Sequence, residues 1–100
     1  MDIAREEIFG PVLSTLSYTD DDAIAQANES AYGLQAYVFS PDAARSRSVV
    51  QQLQAGTVLI NRTVTDPLAP FGGLKLSGLG RENGIFGLES FLEPQAIIAG

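Results

Sequence analysis

A chain of 100 residues, 45% hydrophobic and 18% charged, encloses one core at most, and its composition is that of a packed globular piece rather than a disordered tail. Its 12 acids outweigh a single lysine, Lys75, and five scattered arginines to give a net charge of −6; that leaves no basic stripe for nucleic acid and repels anionic membrane surfaces. Without cysteine or histidine there is no disulfide framework, thiolate nucleophile, zinc–sulfur centre, Ser-His-Asp triad or histidine base.

In chain order, Val12 to Tyr18 reads as a strand, apolar and β-branched with Pro11 before it. Thr19 and Asp22 have the spacing of a capping box with Asp in place of Glu, and acids at Asp20, Asp21 and Asp22 suit the start of a helix. Ile24, Ala27 and Ala31 then give a short amphipathic helix that Gly33 closes. Leu34 to Phe39 is predicted as a second strand. Ser40-Pro41-Asp42 predicts a helix start with Ser40 as cap, Val49, Val50 and Leu53 inward, Arg45, Arg47 and Gln51 outward, and Gly56 as the stop.

Thr57 to Ile60 is a third strand, apolar throughout, as expected where both faces of a sheet are covered. Alternating strands and helices predict an α/β fold: a small parallel sheet of about three strands with helices packed on it. A Pro- and Gly-rich loop from Arg62 to Ser77 follows, then a helix over residues 81–92 and a last short strand over residues 95–99. So small a sheet has unpaired edges, and the glycines clustered after residue 71 suggest a segment held by something else. The chain reads as a piece of a larger body.

Three ordered segments carry a resemblance that covers essentially all of the sequence. They are Ala4-Arg5-Glu6-Glu7-Ile8-Phe9-Gly10-Pro11; Ala27-Asn28 through Tyr32-Gly33-Leu34; and Gly56-Thr57-Val58 with Ile60-Asn61, followed by Pro70-Phe71-Gly72-Gly73, Lys75, Ser77-Gly78 and Gly80-Arg81-Glu82. Together they resemble the C-terminal stretch of the aldehyde dehydrogenase superfamily. The resemblance implies oxidation of an aldehyde by NAD or NADP through a cysteine thiohemiacetal, with an oxyanion site and a glutamate-activated water. It also implies that the cysteine, the base, the oxyanion asparagine and the coenzyme-binding glycines lie upstream of this stretch; Asn61 is not that asparagine. Met1 falls inside a patterned stretch of the family, where a natural domain boundary is not expected.

Roles transfer to three positions. Glu7 matches the glutamate that accepts hydrogen bonds from the nicotinamide-ribose hydroxyls, a task suited to a two-oxygen acceptor. Phe9 matches the aromatic residue beside the nicotinamide end. Phe71 matches a residue that lines the aldehyde pocket. Residues 1–92 correspond to the end of a catalytic domain, and residues 93–100 to a terminal oligomerisation strand, so a homo-oligomer or strand-exchanged dimer is expected. The fragment alone is expected to be inactive and to bind no cofactor tightly. The alternative is a non-catalytic module that binds a protein partner by strand addition.

Blander readings stand beside these. Glu6 and Glu7 are by default solvated acids, and Phe9 and Phe71 core aromatics. Gly78-Leu79-Gly80 with Gly84 misses the dinucleotide spacing by one residue. The three consecutive aspartates are a helix cap before they are a metal site, Lys75 with Ser77 is a weak Ser-Lys dyad, and Arg81-Glu82 begins a helix with local ion contacts. No apolar run reaches the ~20 residues of a membrane helix, and the N-terminus lacks the order of a signal peptide, so a cytoplasmic location is expected.

Overall fold

The computed structural model describes residues 2–100; Met1, where the predicted catalytic-domain portion begins, lies outside the described residues. Its centre is a βαβ unit. Strand β2 (Gln35–Val38) pairs in parallel with β3 (Thr57–Ile60), with Gln35 opposite Thr57 and Val38 opposite Ile60. Helix α2 (Ala43–Val50) makes the crossover that a parallel pair requires. Backbone bonds from Gly56 to Gly33 and from Asn61 to Val38 extend the ladder at both ends.

A second, antiparallel pair joins β1 (Tyr32–Gly33) to β4 (Leu74–Lys75), folding the glycine-rich loop back on the segment before β2. The short helices α1 (Ala23–Asn28) and α3 (Gly84–Glu89) flank these pairs. The α/β class stands as read, with two corrections to the predicted parallel sheet. It has two strands rather than three, because residues 12–18 join no ladder within the chain. Residues 95–99, also read as a strand, carry no regular secondary structure. A strand gains its backbone bonds only from a neighbour, and neither segment has one here.

Helix boundaries differ from the local signals, by two residues at the α2 cap and by five or six at the C-terminal ends of α1 and α2. Asp42, not Ser40, caps α2: its carboxylate accepts from the Ala44 and Arg45 amides at 2.9 and 3.0 Å, while Ser40 Oγ accepts from the Asp42 amide. Half of the predicted capping box at α1 forms, with Asp22 Oδ1 accepting from the Thr19 amide at 2.7 Å. Gly33 does not close α1, which ends at Asn28; it lies in β1, where a β-carbon would crowd the carbonyl of Gln54 at 2.5 Å. Helix α2 stops at Val50, short of Gly56, and α3 spans six residues rather than twelve.

The core is thin. Leu59 is 7% exposed and Ser46 2%, while Val49, Val50 and Leu53 reach only half-burial on the inward face predicted for them. The exposed surface is 8231 Å². A self-contained folded chain of this mass exposes roughly 5,500 Å². The radius of gyration is 17.4 Å over extents of 62 × 34 × 26 Å, against about 13 Å for a compact chain of this length. Leu13, Leu79, Phe91, Ile97 and Ile98 are all largely in solvent. Apolar surface on this scale is what the face of a larger packed body presents when its neighbours are absent.

Candidate active-site segments

The glycine-rich loop is closed at its base by Phe71 and Glu82, whose amides and carbonyls exchange bonds of 2.8 and 2.7 Å. Phe71 is therefore fixed in backbone position, half-buried. Beyond it the chain passes so close to its neighbours that side chains are excluded: a β-carbon on Gly56 would collide with the Gly72 carbonyl, and one on Gly73 with Ser77. Arg81 lies across the loop, donating to the carbonyls of Gly73 at 3.0 Å and Gly80 at 2.7 Å. It forms a backbone clamp, not the helix start or local ion contact predicted for it, since α3 begins at Gly84.

The N-terminal segment starts with a 3-10 turn over Asp2–Ala4, whose first carbonyl accepts from the Arg5 and Glu6 amides at 2.9 Å. Arg5 pairs with Glu29 at the end of α1. Glu7 follows on the wall of an open groove of about 460 Å³ that it shares with Glu6, Ser30, Tyr32, Leu76 and Ser77. An exposed carboxylate on a concave wall can accept bonds from adjacent hydroxyls of a ligand lying in the groove. Phe9 is 90% exposed and sits at φ +55°, in the left-handed region that side chains disfavour. Phe9 is therefore not a core aromatic among the described residues.

Glu7 is thus brought beside Leu76 and Ser77 of the loop that Phe71 opens. Neither Phe9 nor Phe71 lines that groove. The joint between the N-terminal segment and the loop escaped sequence reasoning. Lys75, at φ +54°, donates from Nζ to the Asn28 and Ser30 carbonyls at 2.8 and 2.9 Å. The Leu76 amide donates to the Ala31 carbonyl, and Ser77 Oγ accepts from the Gly33 amide at 2.9 Å. Lys75 and Ser77 therefore have separate partners and make no dyad. The available signal was that the sole lysine lies within a glycine-rich run, Phe71 to Gly80, that holds no other charged residue.

Two asparagines do similar structural work. Asn28 bonds the Gln52 carbonyl and the Gln54 amide, and Asn61 bonds both the carbonyl and the amide of Ser40. Two of the three aspartates are occupied by structure: Asp22 accepts from the Thr19 amide, and Asp20 pairs with Arg45. Among the described residues no cluster of acids has the arrangement of a metal site. The segments supply binding walls and carboxylate acceptors, but no thiolate and no imidazole.

Comparison with known proteins gives these features a context. Residues 1–97 match the model of the aldehyde dehydrogenase family. A relative in Staphylococcus saprophyticus that carries the family's name is 51% identical over 98 residues, which are 97% of this chain and 21% of the relative. The crystal structure of a Mycobacterium tuberculosis aldehyde dehydrogenase complexed with NAD+ superposes with a TM-score of 0.87 at 52% identity, covering 91% of this chain and 19% of that one. A mutant aldehyde dehydrogenase C of Pseudomonas syringae, complexed with NAD+ and octanal, gives 0.88 at 52% identity, covering 93% and 19%. The chain spans about a fifth of the length of the relatives it matches, and its overexposed apolar surface agrees with that proportion. By its ordered motifs, its fold and its match over residues 1–97, the chain belongs to the aldehyde dehydrogenase family.

Proposed function

We propose that this chain is the C-terminal portion of an NAD- or NADP-dependent aldehyde dehydrogenase that oxidises an aldehyde to a carboxylic acid through a cysteine thiohemiacetal. Residues 1–92 complete the catalytic domain, and residues 93–100 form a strand that joins a neighbouring subunit. The observation that carries this reading is a family match running through residues 1–97 of a chain one-fifth the length of its relatives. Solved relatives that hold NAD+, or NAD+ with octanal, support the choice of cofactor and substrate class.

Within that enzyme, Glu7, on the wall of its groove, accepts hydrogen bonds from the ribose hydroxyls at the nicotinamide end with its two carboxylate oxygens. Phe9 packs its exposed ring beside the nicotinamide. Phe71, held by its bridge to Glu82, lines the aldehyde tunnel. The dinucleotide supplies hydride acceptance when bound; this chain orients it and shapes the tunnel. The 100-residue chain alone has no cysteine and turns over no aldehyde. Half a cofactor site also lacks the contacts that offset the cost of association, so it binds the dinucleotide weakly if isolated.

The test is a chimera in which this chain replaces the homologous stretch of the unmutated Pseudomonas syringae aldehyde dehydrogenase C, the relative solved with NAD+ and octanal. NAD+-dependent oxidation of octanal by the chimera, with none by the chain alone, is the expected result. Turnover by the isolated chain, or a correctly assembled chimera that binds no NAD+, overturns it. A cytoplasmic enzyme is the natural setting; among the described residues no helix is long and apolar enough to cross a membrane.

A second reading is favoured by one observation, the 86% and 94% exposure of Ile97 and Ile98. A terminal segment this apolar and unpaired invites strand addition, and the free chain then acts as an interaction module that enters assemblies of full-length subunits. Co-expression with a full-length aldehyde dehydrogenase separates the two, because only the module reading predicts mixed oligomers. Sedimentation of the chain alone as a dimer supports the terminal strand as an oligomerisation element; a monomer at millimolar concentration opposes it.

A further inference from the structure

The groove that carries Glu7 has two walls from distant parts of the chain. Ser30 and Tyr32 come from the segment after α1, and Leu76 and Ser77 from the end of the glycine-rich loop. Four uncharged links join the walls: the Tyr32–Lys75 and Gly33–Leu74 pairing, the bond from the Leu76 amide to the Ala31 carbonyl, and the bond from the Gly33 amide to the Ser77 side-chain Oγ. The remaining link is a charged one. Lys75 reaches from the loop wall to the two carbonyls, Asn28 and Ser30, that end α1 and begin the opposite wall.

Several physical features make this link more than incidental. An ammonium shared between two carbonyls at a helix C-terminus is a charge-assisted contact that also favours the helix dipole. Lys75 holds it from a left-handed backbone conformation, φ +54°, which a lysine adopts only where the surroundings over-determine it. The turn it grips contains Glu29, the partner of Arg5, which lies two residues before Glu7. Lys75 thus fixes the turn from one side while the Glu7 segment is tied to it from the other.

We propose that Lys75 is a positioning residue for the cofactor: it staples the two walls of the Glu7 groove and so sets the place of the Glu7 carboxylate. This rests on the reading of Glu7 as a cofactor contact, and it adds a residue that touches neither dinucleotide nor aldehyde. Replacing Lys75 by a side chain of similar length without donors relaxes the staple and lets the walls part. The cofactor is then bound less well, while the chemistry, whose residues lie on other segments, proceeds at nearly its normal rate once the site is filled.

The chimera tests this with Lys75→Met, Lys75→Arg and Glu7→Gln. Lys75→Met is expected to raise KM for NAD+ ~10-fold with kcat per titrated active site nearly unchanged, the size of effect that a small misplacement of a binding group produces. Lys75→Arg, whose guanidinium can still donate to both carbonyls, restores most of that loss. A merely structural lysine instead lowers the fraction of active enzyme and leaves KM where it was; that result overturns the proposal. Should Lys75→Met fail to assemble, Ser77→Ala cuts a neutral link between the same walls and must move KM for NAD+ in the same direction, or the staple is refuted. If Glu7→Gln leaves KM for NAD+ unchanged, the reading of Glu7 fails. If Glu7→Gln raises it and Lys75→Met does not, the positioning role alone fails.

Discussion

Gly56 and Gly72 meet backbone to backbone: a β-carbon on Gly56 would drive into the carbonyl of Gly72, with Gly73 just behind. This contact seats the glycine-rich loop, and with it Phe71, against the start of β3. The obstacle is main chain, so no rotamer change can relieve it. Gly56→Ala is expected to destabilise the folded chimera by about 2–3 kcal/mol, at the upper end for overpacking, read as a lowered melting temperature. An unchanged melting temperature would mean the loop is seated differently.

Glu7 and Phe9 should fail in different ways. Glu7→Gln keeps the shape but loses the charge that strengthens bonds to ribose hydroxyls, so KM for NAD+ should rise ~10-fold, roughly the effect of one lost charge-assisted bond. Phe9→Ala removes a ring that is 90% exposed, so it should weaken NAD+ binding without lowering the melting temperature. A stability loss at Phe9 would make it a core residue instead.

Phe71 should act on the aldehyde and not on the cofactor. Phe71→Ala leaves the backbone bridge to Glu82 intact, because both bonds of that bridge are main-chain. Steady-state kinetics should show a raised KM for octanal and an unchanged KM for NAD+. Parallel changes in both constants would instead indicate a collapsed loop.

The cap of α2 gives a test independent of any functional reading. Asp42→Ala orphans the amides of Ala44 and Arg45 and is expected to cost about 1 kcal/mol, whereas Asp42→Asn or Asp42→Ser retains most of the stability. If Ser40 were the effective cap, Ser40→Ala would cost as much as Asp42→Ala. The structure gives Ser40 only the supporting bond to the Asp42 amide, so its loss should be the smaller.

Asn61 closes β3 at φ +52° while its amide bonds both polar groups of Ser40. Asn61→Ala loses both bonds and the tolerance for that conformation, and should cost about 1–2 kcal/mol. Asn61→Gly regains the conformational part only. Melting temperatures ordered Asn61, Gly, Ala would confirm the two contributions; equal losses for Gly and Ala would leave the backbone term without support.

Local chemistry was legible where it depended on neighbours in sequence. The βαβ unit, the inward set Val49, Val50 and Leu53, the half-formed box between Thr19 and Asp22, and the ordered family motifs all follow from short-range spacing. Phe71 was legible as a position, because Pro-Phe-Gly-Gly is a motif, but its bridge to Glu82 was not. Lys75 was read only as a weak dyad with Ser77, because its actual partners, Asn28 and Ser30, are more than forty residues away. Val12 to Tyr18 and residues 95–99 have the composition of strands yet join no ladder among the described residues, since a ladder is a property of two segments and not of one.

By itself, then, the sequence determined the α/β class, the family, and the absence of a cysteine thiolate, because each is a matter of residue type and of order along the chain. Only the tertiary structure decided that Lys75 joins the walls of the Glu7 groove, that Gly56 and Gly72 leave no room for side chains, and that Phe9 is held in solvent at a positive φ. These depend on distances between segments remote in sequence, which are set by packing and ladder register and carry no local signature. The same physics accounts for the thin core: strands and apolar faces patterned for burial stay exposed where the surfaces that would cover them are not part of the chain.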